Sequence, residues 1–441
     1  MIHSRRHFLR SALTLGAFGT TYLGYLGRQA LAQNTGTGDK KLLFIFQRGG
    51  NDGVNTLIPH GDSQYNTTNR PNLFIADTDA IDLGNSFASL HPMMAPMMPL
   101  FNAGKLAMIH RVGYINQSRS HFESEDFWEK GVPNNPAIKD GMFYRQLREM
   151  LDLTDPANTF VAATIDNSAF TALKGDVPLP NFTSSGEFNF LGTENERAKF
   201  LGQLPSAEGA GDGRGMLGLY GDSPLANAFY AETVNATGRA LGGTLTTLAG
   251  AQGPYTPENG AVYPNTRFGD RLRECAMLFK RTEVRILGTE IGGFDNHSNQ
   301  GAIYGTHVDR LQEVAQGFQA LSLDLQNWWD DMVVVTMTEF GRTSAENGSF
   351  GTDHAEASVV FAAGGGVKGG VYNCDANTWA DGDMFSQRER YLQRKTDFRS
   401  IFGEIFTKHF GTDPGRLETV MPGIEQDKLD FPSDLAELGF L

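Results

Sequence analysis

The sequence predicts a doubly wound α/β fold, a mostly parallel sheet with helices on both faces and an insertion in the middle of the chain. Three observations predict it. Short apolar runs rich in β-formers recur without polar alternation, as strands covered on both faces require. Helical patterns fall between these runs, as in parallel α/β units. Polar, glycine-containing clusters follow the runs, and in such sheets ligands bind outside the carboxyl ends of the strands.

Taken in order, residues 41–47 form a buried strand that ends in the tight loop Arg48-Gly49-Gly50-Asn51-Asp52-Gly53, and residues 105–110 form a second strand. Ser120, with Glu123 three residues on and Phe127 and Trp128 beyond, marks a helix start of the capping-box kind. Residues 156–264 differ in texture, with six glycines between Gly209 and Gly221 and a helical pattern over 225–248, and are expected to be the insertion or lid. Helix is expected over 267–279 and strand over 284–288. Val308, Leu311, Ala315, Phe318, Leu321 and Leu325 then mark one long amphipathic helix. Residues 332–336 and 359–362 are strands, and 396–410 is a closing helix.

A chain of 441 residues with only two cysteines is no disulfide-stapled mini-protein, and 40% apolar with 20% charged residues excludes both global disorder and a multi-span membrane protein. The segment Ser4-Arg5-Arg6-His7-Phe8-Leu9-Arg10, the moderately apolar stretch to Leu26 and Ala30-Leu31-Ala32 have the form of a cleavable twin-arginine export signal over residues 1–32. The expected destination is the periplasm or the exterior, with the twin-arginine translocase as partner during export. Glycine and threonine make the stretch too weakly hydrophobic for a stable membrane anchor. Removing it takes away four arginines and leaves 33 basic against 51 acidic residues in 33–441. So acidic a chain should repel nucleic acid and anionic polymers. Whether Cys275 and Cys374 pair is open from sequence.

Asn51 and Asp52, then Arg119-Ser120-His121-Phe122, Asp295-Asn296-His297, Thr338-Glu339-Phe340-Gly341-Arg342-Thr343 and Asp353-His354 are the clusters that could carry chemistry. Carboxylates and imidazoles from separate strand ends suit a divalent ion such as zinc or manganese. Each cluster also has a plainer reading: Asp52 as a turn residue, Ser120 as a helix cap, and Arg342 as the partner of a surface acid. Glu339 resists one, because a carboxylate just after a buried strand faces the crevice of the sheet.

The run from Gly49 to Pro59, Arg119-Ser120-His121-Phe122, residues 292–297, 338–343, 346–349 and 351–354, and Val367-Lys368-Gly369-Gly370 together resemble a twin-arginine-exported family, domain of unknown function fifteen-hundred-and-one. The resemblance spans nearly all of the mature chain and implies the alkaline phosphatase and sulfatase superfamily, whose members act on phosphate or sulfate esters at a metal site. It makes Asp52, Asp295, His297, Glu339 and His354 look like the metal ligands and Ser120 the nucleophile, with Ser118 a weaker candidate; the residue types alone add Asp353 as a further ligand. Asn51, Arg119, His121 and Arg342 would bind a small anionic ester. Phenylalanine at 340 stands where the superfamily has a metal-binding histidine, so one tightly bound ion is expected. The resulting expectation is a periplasmic metal-dependent hydrolase of phosphate or sulfate esters. The alternative is a non-catalytic envelope binding or scaffold protein that keeps the fold.

Overall fold

The computed structural model describes residues 40–188 and 241–441. The expected export signal over residues 1–32 and the glycine run from Gly209 to Gly221 lie outside the described residues. The centre is a nine-stranded sheet. Its strands are β1 (Lys41–Gln47), β2 (Leu106–Gly113), β3 (Ala162–Ile165), β4 (Asn181–Phe182), β5 (Ile286–Ile291), β6 (Met332–Met337), β7 (Ser358–Gly364), β8 (Gly370–Tyr372) and β9 (Thr396–Asp397). Their order is β8-β2-β7-β6-β1-β5-β3-β4, with β9 pairing β2. All pairings are parallel except those of β7, which runs antiparallel to both β2 and β6.

The period of two in a strand divides the core. Leu43 and Ile45 of β1 and Val334 of β6 face one side, where they pack with α3 (Arg267–Arg281) and α4 (Thr306–Asp324) through Leu272, Ala276, Leu311, Val314 and Phe318. Leu42, Phe44 and Phe46 of β1 with Val333 and Val335 of β6 face the other side. There they meet α1 (His121–Lys130), α2 (Met142–Met150) and α5 (Phe398–Glu404) through Trp128, Phe143, Leu147 and Phe402. Burial on both faces is what the unbroken apolar runs encode. Helices cover both faces, as the sequence predicts.

Two expectations need correction, and a third is described only in part. Residues 162–165 and 181–182, expected within the insertion, extend the sheet beside β5 instead, so the excursion begins later than residue 156. Helix over 225–248 is described only from residue 241. The closing helix over 396–410 begins as strand β9, because Asp397 caps α5 by accepting from the Arg399 amide, and its last turn, Ile405–His409, is widened to a π-helix. Cys275 and Cys374 are both buried free thiols. Among the described residues no helix is long and apolar enough to cross a membrane.

This topology places the polar loops together. The loops after β1, β2, β5 and β6 leave the same edge of the sheet, and β7, being antiparallel, begins at that edge, so the residues before it join them. Gly49 allows one close approach: it has φ +117°, and a Cβ there would lie 2.3 Å from the Asp295 nitrogen.

Candidate metal centre

Three imidazoles converge on Asp295. His297 Nε2 and His354 Nε2 each lie 3.0 Å from Asp295 Oδ1 and 2.9 Å from one another, and His121 Nε2 lies 3.5 Å from Asp295 Oδ2. Each imidazole is held from behind by a group that can only accept. Asp353 Oδ1 faces His297 Nδ1 at 3.1 Å, the Arg119 carbonyl faces His354 Nδ1 at 2.9 Å, and Glu339 Oε1 faces His121 Nδ1 at 2.8 Å. In the neutral form of each ring every Nδ1 is therefore the donor, and every Nε2 turns its lone pair towards Asp295. Lone pairs brought this close repel unless a cation lies among them.

The carboxylate of Asp295 is kept ionised: burial works against it, but the hydrogen bond and charge of Arg342 hold its pKa below the usual carboxylate range. Burial lowers the pKa of His354, despite the Arg119 carbonyl and Asp295, so it is readily neutral. The Glu339 hydrogen bond raises that of His121. Beneath the imidazoles lies the Phe340 ring, wholly buried, with its centroid 4.8 Å from that of His121 and 4.6 Å from that of His354. Asp295 and His297 are each 46% exposed, so the centre opens to solvent.

The residues predicted from sequence do not all keep their roles. Asp295, His297 and His354 come together as expected. His121, assigned to substrate, joins them. Asp353 moves one bond back: it carries His297 and accepts from Arg390 Nη2 at 3.1 Å. Glu339 likewise holds His121 while accepting from the Gly49 amide at 2.7 Å, although it also forms a possible ligand group with His121 and Glu125.

Asp52 leaves the centre altogether. Its carboxylate is 1% exposed and accepts from Arg70 Nη1 at 2.6 Å, Arg70 Nη2 at 3.2 Å and Gln300 Nε2 at 2.6 Å. Burial would raise its pKa, but Arg70 overrides this and holds it at about 2.

Neither Asn51 nor Arg342 can reach a substrate. Asn51 is buried, its Oδ1 taken by Thr56 Oγ1 and His307 Nε2 and its amide nitrogens bonded to Gln47 and Thr338. Arg342, also fully buried, donates to Asp295 Oδ1 at 2.8 Å and to the Thr352 carbonyl, which makes it the residue that positions Asp295.

Ser120 occupies the N-cap position of α1, but its side chain makes no cap bond; Ser118 Oγ donates to Glu123 instead. The hydroxyl is exposed and lies between Arg119, whose carbonyl holds His354, and His121. Arg119 itself is exposed and its Nη1 donates to the Tyr391 hydroxyl at 2.5 Å.

The sequence reading missed Arg70 and Glu125. Arg70 lies in a polar loop without periodicity and gives no signal. Glu125 does: it stands four residues after His121 on a helix and so shares its face. Burial, with Glu339 and Glu129 adding to it and Arg48 opposing, raises the Glu125 carboxyl to about 7.

Residues 251–412 match a family described as "Protein of unknown function (DUF1501)". Among solved structures the chain is similar to the lipoteichoic acid synthase LtaP from Listeria monocytogenes, at 8% identity and a TM-score of 0.30, over 74% of this chain and 65% of that one. The chain thus spans less than two thirds of that protein's length. No curated protein matches.

Proposed function

We propose that the protein is an exported, metal-dependent hydrolase of phosphate or sulfate esters. One observation carries the reading: His297 Nε2, His354 Nε2 and Asp295 Oδ1 lie mutually within 3.0 Å, with each imidazole's Nδ1 proton directed away. A zinc ion about 2.0–2.1 Å from each donor needs ligand atoms roughly 3.3 Å apart, so a small relaxation seats it. With His121 as a fourth donor, the set of three imidazoles and one carboxylate suits zinc or manganese, and the acceptors behind the rings are those that orient metal ligands.

Such an ion, when bound, would polarise an ester oxygen and acidify a hydroxyl or water beside it. The remaining work falls to the chain. Ser120 presents a hydroxyl that is not spent on capping, at the N-terminus of a ten-residue helix, an end that favours a bound anion. Arg119, held by the Tyr391 hydroxyl, supplies a cation at the rim. Arg342 fixes Asp295 from below, and Phe340 keeps water from the underside of the rings.

The test is elemental analysis of the purified mature protein, followed by hydrolysis of a panel of phosphate and sulfate esters. The expected result is one tightly held divalent ion, reduced roughly ten-fold or more in Asp295→Ala and His354→Ala, with turnover lost in parallel. A stable, metal-free protein that hydrolyses no ester would favour a binding or scaffold role.

A further inference from the structure

Two of the groups that stand behind the imidazoles are themselves held, and both by the same turn of chain. Residues 387–391 close a tight hairpin: the Gln387 amide donates to the Tyr391 carbonyl at 3.0 Å, the Tyr391 amide returns the bond at 2.9 Å, and the Arg390 amide donates to the Gln387 carbonyl at 3.2 Å. Tyr391 is buried, and two guanidiniums gather on its ring, with Arg119 Cζ 5.2 Å and Arg390 Cζ 5.7 Å from the centroid. Each leads to one imidazole. Arg390 Nη2 donates to Asp353 Oδ2 at 3.1 Å, and Asp353 Oδ1 faces His297 Nδ1 at 3.1 Å. Arg119 Nη1 donates to the Tyr391 hydroxyl at 2.5 Å, and the Arg119 carbonyl faces His354 Nδ1 at 2.9 Å. The two routes are separate, and they end on the two imidazoles whose Nε2 atoms stand 2.9 Å apart. The hairpin is also docked beside the centre, since the Ser344 amide donates to the Arg390 carbonyl at 3.2 Å while the neighbouring Thr343 amide donates to the Asp353 carbonyl at 2.8 Å.

The turn is not one that its sequence favours. Arg388 has φ +56° and Glu389 φ +52°, two consecutive left-handed residues, in a hairpin conformation that Asn-Gly adopts readily and that other side chains resist. Both are exposed, and among the described residues neither side chain makes a hydrogen bond or ion pair, so nothing local offsets the strain. What offsets it lies in the next two residues, Arg390 and Tyr391. Strain of this kind persists where the surroundings over-determine it, and it gathers at functional sites. Nor is the ion pair explained as a stabiliser: the side chains of Arg390 and Asp353 are 56% and 40% exposed, and pairs so placed add little to stability.

We propose that Arg390 and Tyr391 are positioning residues of the centre: the hairpin fixes His297 through Asp353 and His354 through Arg119, and so sets both Nε2 atoms for one ion. This rests on the metal-holding role proposed for the centre. The physical content is orientation. A ring that turns carries its lone pair off the ion, and the acceptor behind Nδ1 is what stops the turning. An acceptor that can itself swing stops nothing. Arg390 removes that freedom from Asp353, and Tyr391 removes it from the Arg119 segment.

The experiment measures zinc affinity by competition with a chelator, and the visible spectrum of the cobalt(II)-loaded protein, for the parent, Tyr391→Phe, Arg390→Ala and Arg390→Lys. Tyr391→Phe keeps the ring and removes only the hydroxyl. Zinc is expected to bind about ten-fold more weakly in Tyr391→Phe and in Arg390→Ala, the lower end of what loss of an outer partner costs. The cobalt bands should change in both, while the metal-free Tm stays close to that of the parent. Arg390→Lys, which keeps a cation for Asp353, should lose less. A low, non-denaturing concentration of guanidinium chloride should restore zinc binding to Arg390→Ala, and sodium chloride at the same concentration should not. In an Asp353→Ala background, Arg390→Ala should cost nothing further, whereas Tyr391→Phe, acting through His354, should still weaken binding. Parental affinity and parental cobalt bands in either Tyr391→Phe or Arg390→Ala overturn the inference and leave the centre intact. So does an Arg390→Ala effect that persists in full without Asp353, or a loss of metal matched by a falling metal-free Tm that guanidinium does not repair. A parent that binds no zinc overturns the reading of the centre and this inference with it.

Discussion

Asp52→Asn separates a buried ion pair from a metal ligand. The substitution keeps the shape of the side chain and removes one charge, leaving the Arg70 guanidinium fully buried with no carboxylate beside it; its remaining acceptors are Asn55 Oδ1 and the Thr343 and Ser344 carbonyls. Breaking a buried pair from one side costs about 3–5 kcal/mol. For a folded chain of roughly 400 residues, with an unfolding entropy of about 2.1 cal/mol/K per residue, that lowers Tm by about 4–6 °C. The pH dependence follows from the same pair. The folded-state pKa of Asp52 is depressed from 3.8 to about 2, so its contribution is present above pH 4 and is lost as pH falls through the window from 4 to 2. A shift of nearly two units corresponds to about 2.5 kcal/mol. The stability difference between parent and Asp52→Asn should therefore narrow by about 1.8 kcal/mol, most of that amount, between pH 4 and pH 2, in denaturant titrations run side by side, since the other carboxylates titrate equally in both. Bound metal, measured by elemental analysis at neutral pH, should be unchanged. An Asp52→Asn protein with the parental Tm but without its metal would refute the argument and return Asp52 to the metal.

Ser120→Ala should change stability by less than about 0.5 kcal/mol, because the hydroxyl makes no cap bond, and should lower ester turnover by several orders of magnitude; full activity in that variant would remove Ser120 as nucleophile. Phe340→His should raise the affinity for a second ion beside Glu339 while destabilising the fold by a few kcal/mol, since the buried ring packs against His121 and His354; calorimetric titration of zinc into the metal-stripped parent should show one tight site, and two equally tight sites would sink this reading of Phe340. Arg5→Lys together with Arg6→Lys should hold the precursor in the cytoplasm, and normal export of that double variant in cell fractionation would remove the localisation proposal.

The fold was legible because its strands are covered on both faces. A run such as Leu42-Leu43-Phe44-Ile45-Phe46 has no partner in a half-exposed sheet, and the structure uses alternate residues of it on opposite sides. The direction of β7 was not legible, since an apolar run carries no sign of its polarity, yet that direction is what brings Asp353 and His354 to the edge where Asp295 stands. Placements were legible where a short polar motif brings its own side chains together, as in Asp295 and His297. They failed where the decisive partner is remote in sequence: Arg70 for Asp52, Arg342 for Asp295 and Glu339 for His121. Residue type said that a carboxylate was present, but not which cation already held it.

That distinction decides which aspartate can take a metal. Both Asp52 and Asp295 follow buried strands, and both pair with a wholly buried arginine. Around Asp52 the pair is closed: Arg70 reaches both oxygens, Gln300 adds a second donor to Oδ2, and solvent is excluded. Every contact there is a donor, so an added cation would meet positive hydrogen atoms on all sides. Around Asp295 the pair is open. Arg342 approaches from below through one nitrogen, and the other contacts are the Nε2 atoms of three imidazoles whose protons lie on the far side of each ring. Arg342 thus does two things at once: it fixes the carboxylate and keeps it ionised, while leaving the outward face to the imidazole nitrogens. An arginine that reached across both oxygens of Asp295 would have made a second structural pair. The single-nitrogen approach, enforced because Arg342 also donates to the Gly49 and Thr352 carbonyls, leaves a centre able to bind a cation.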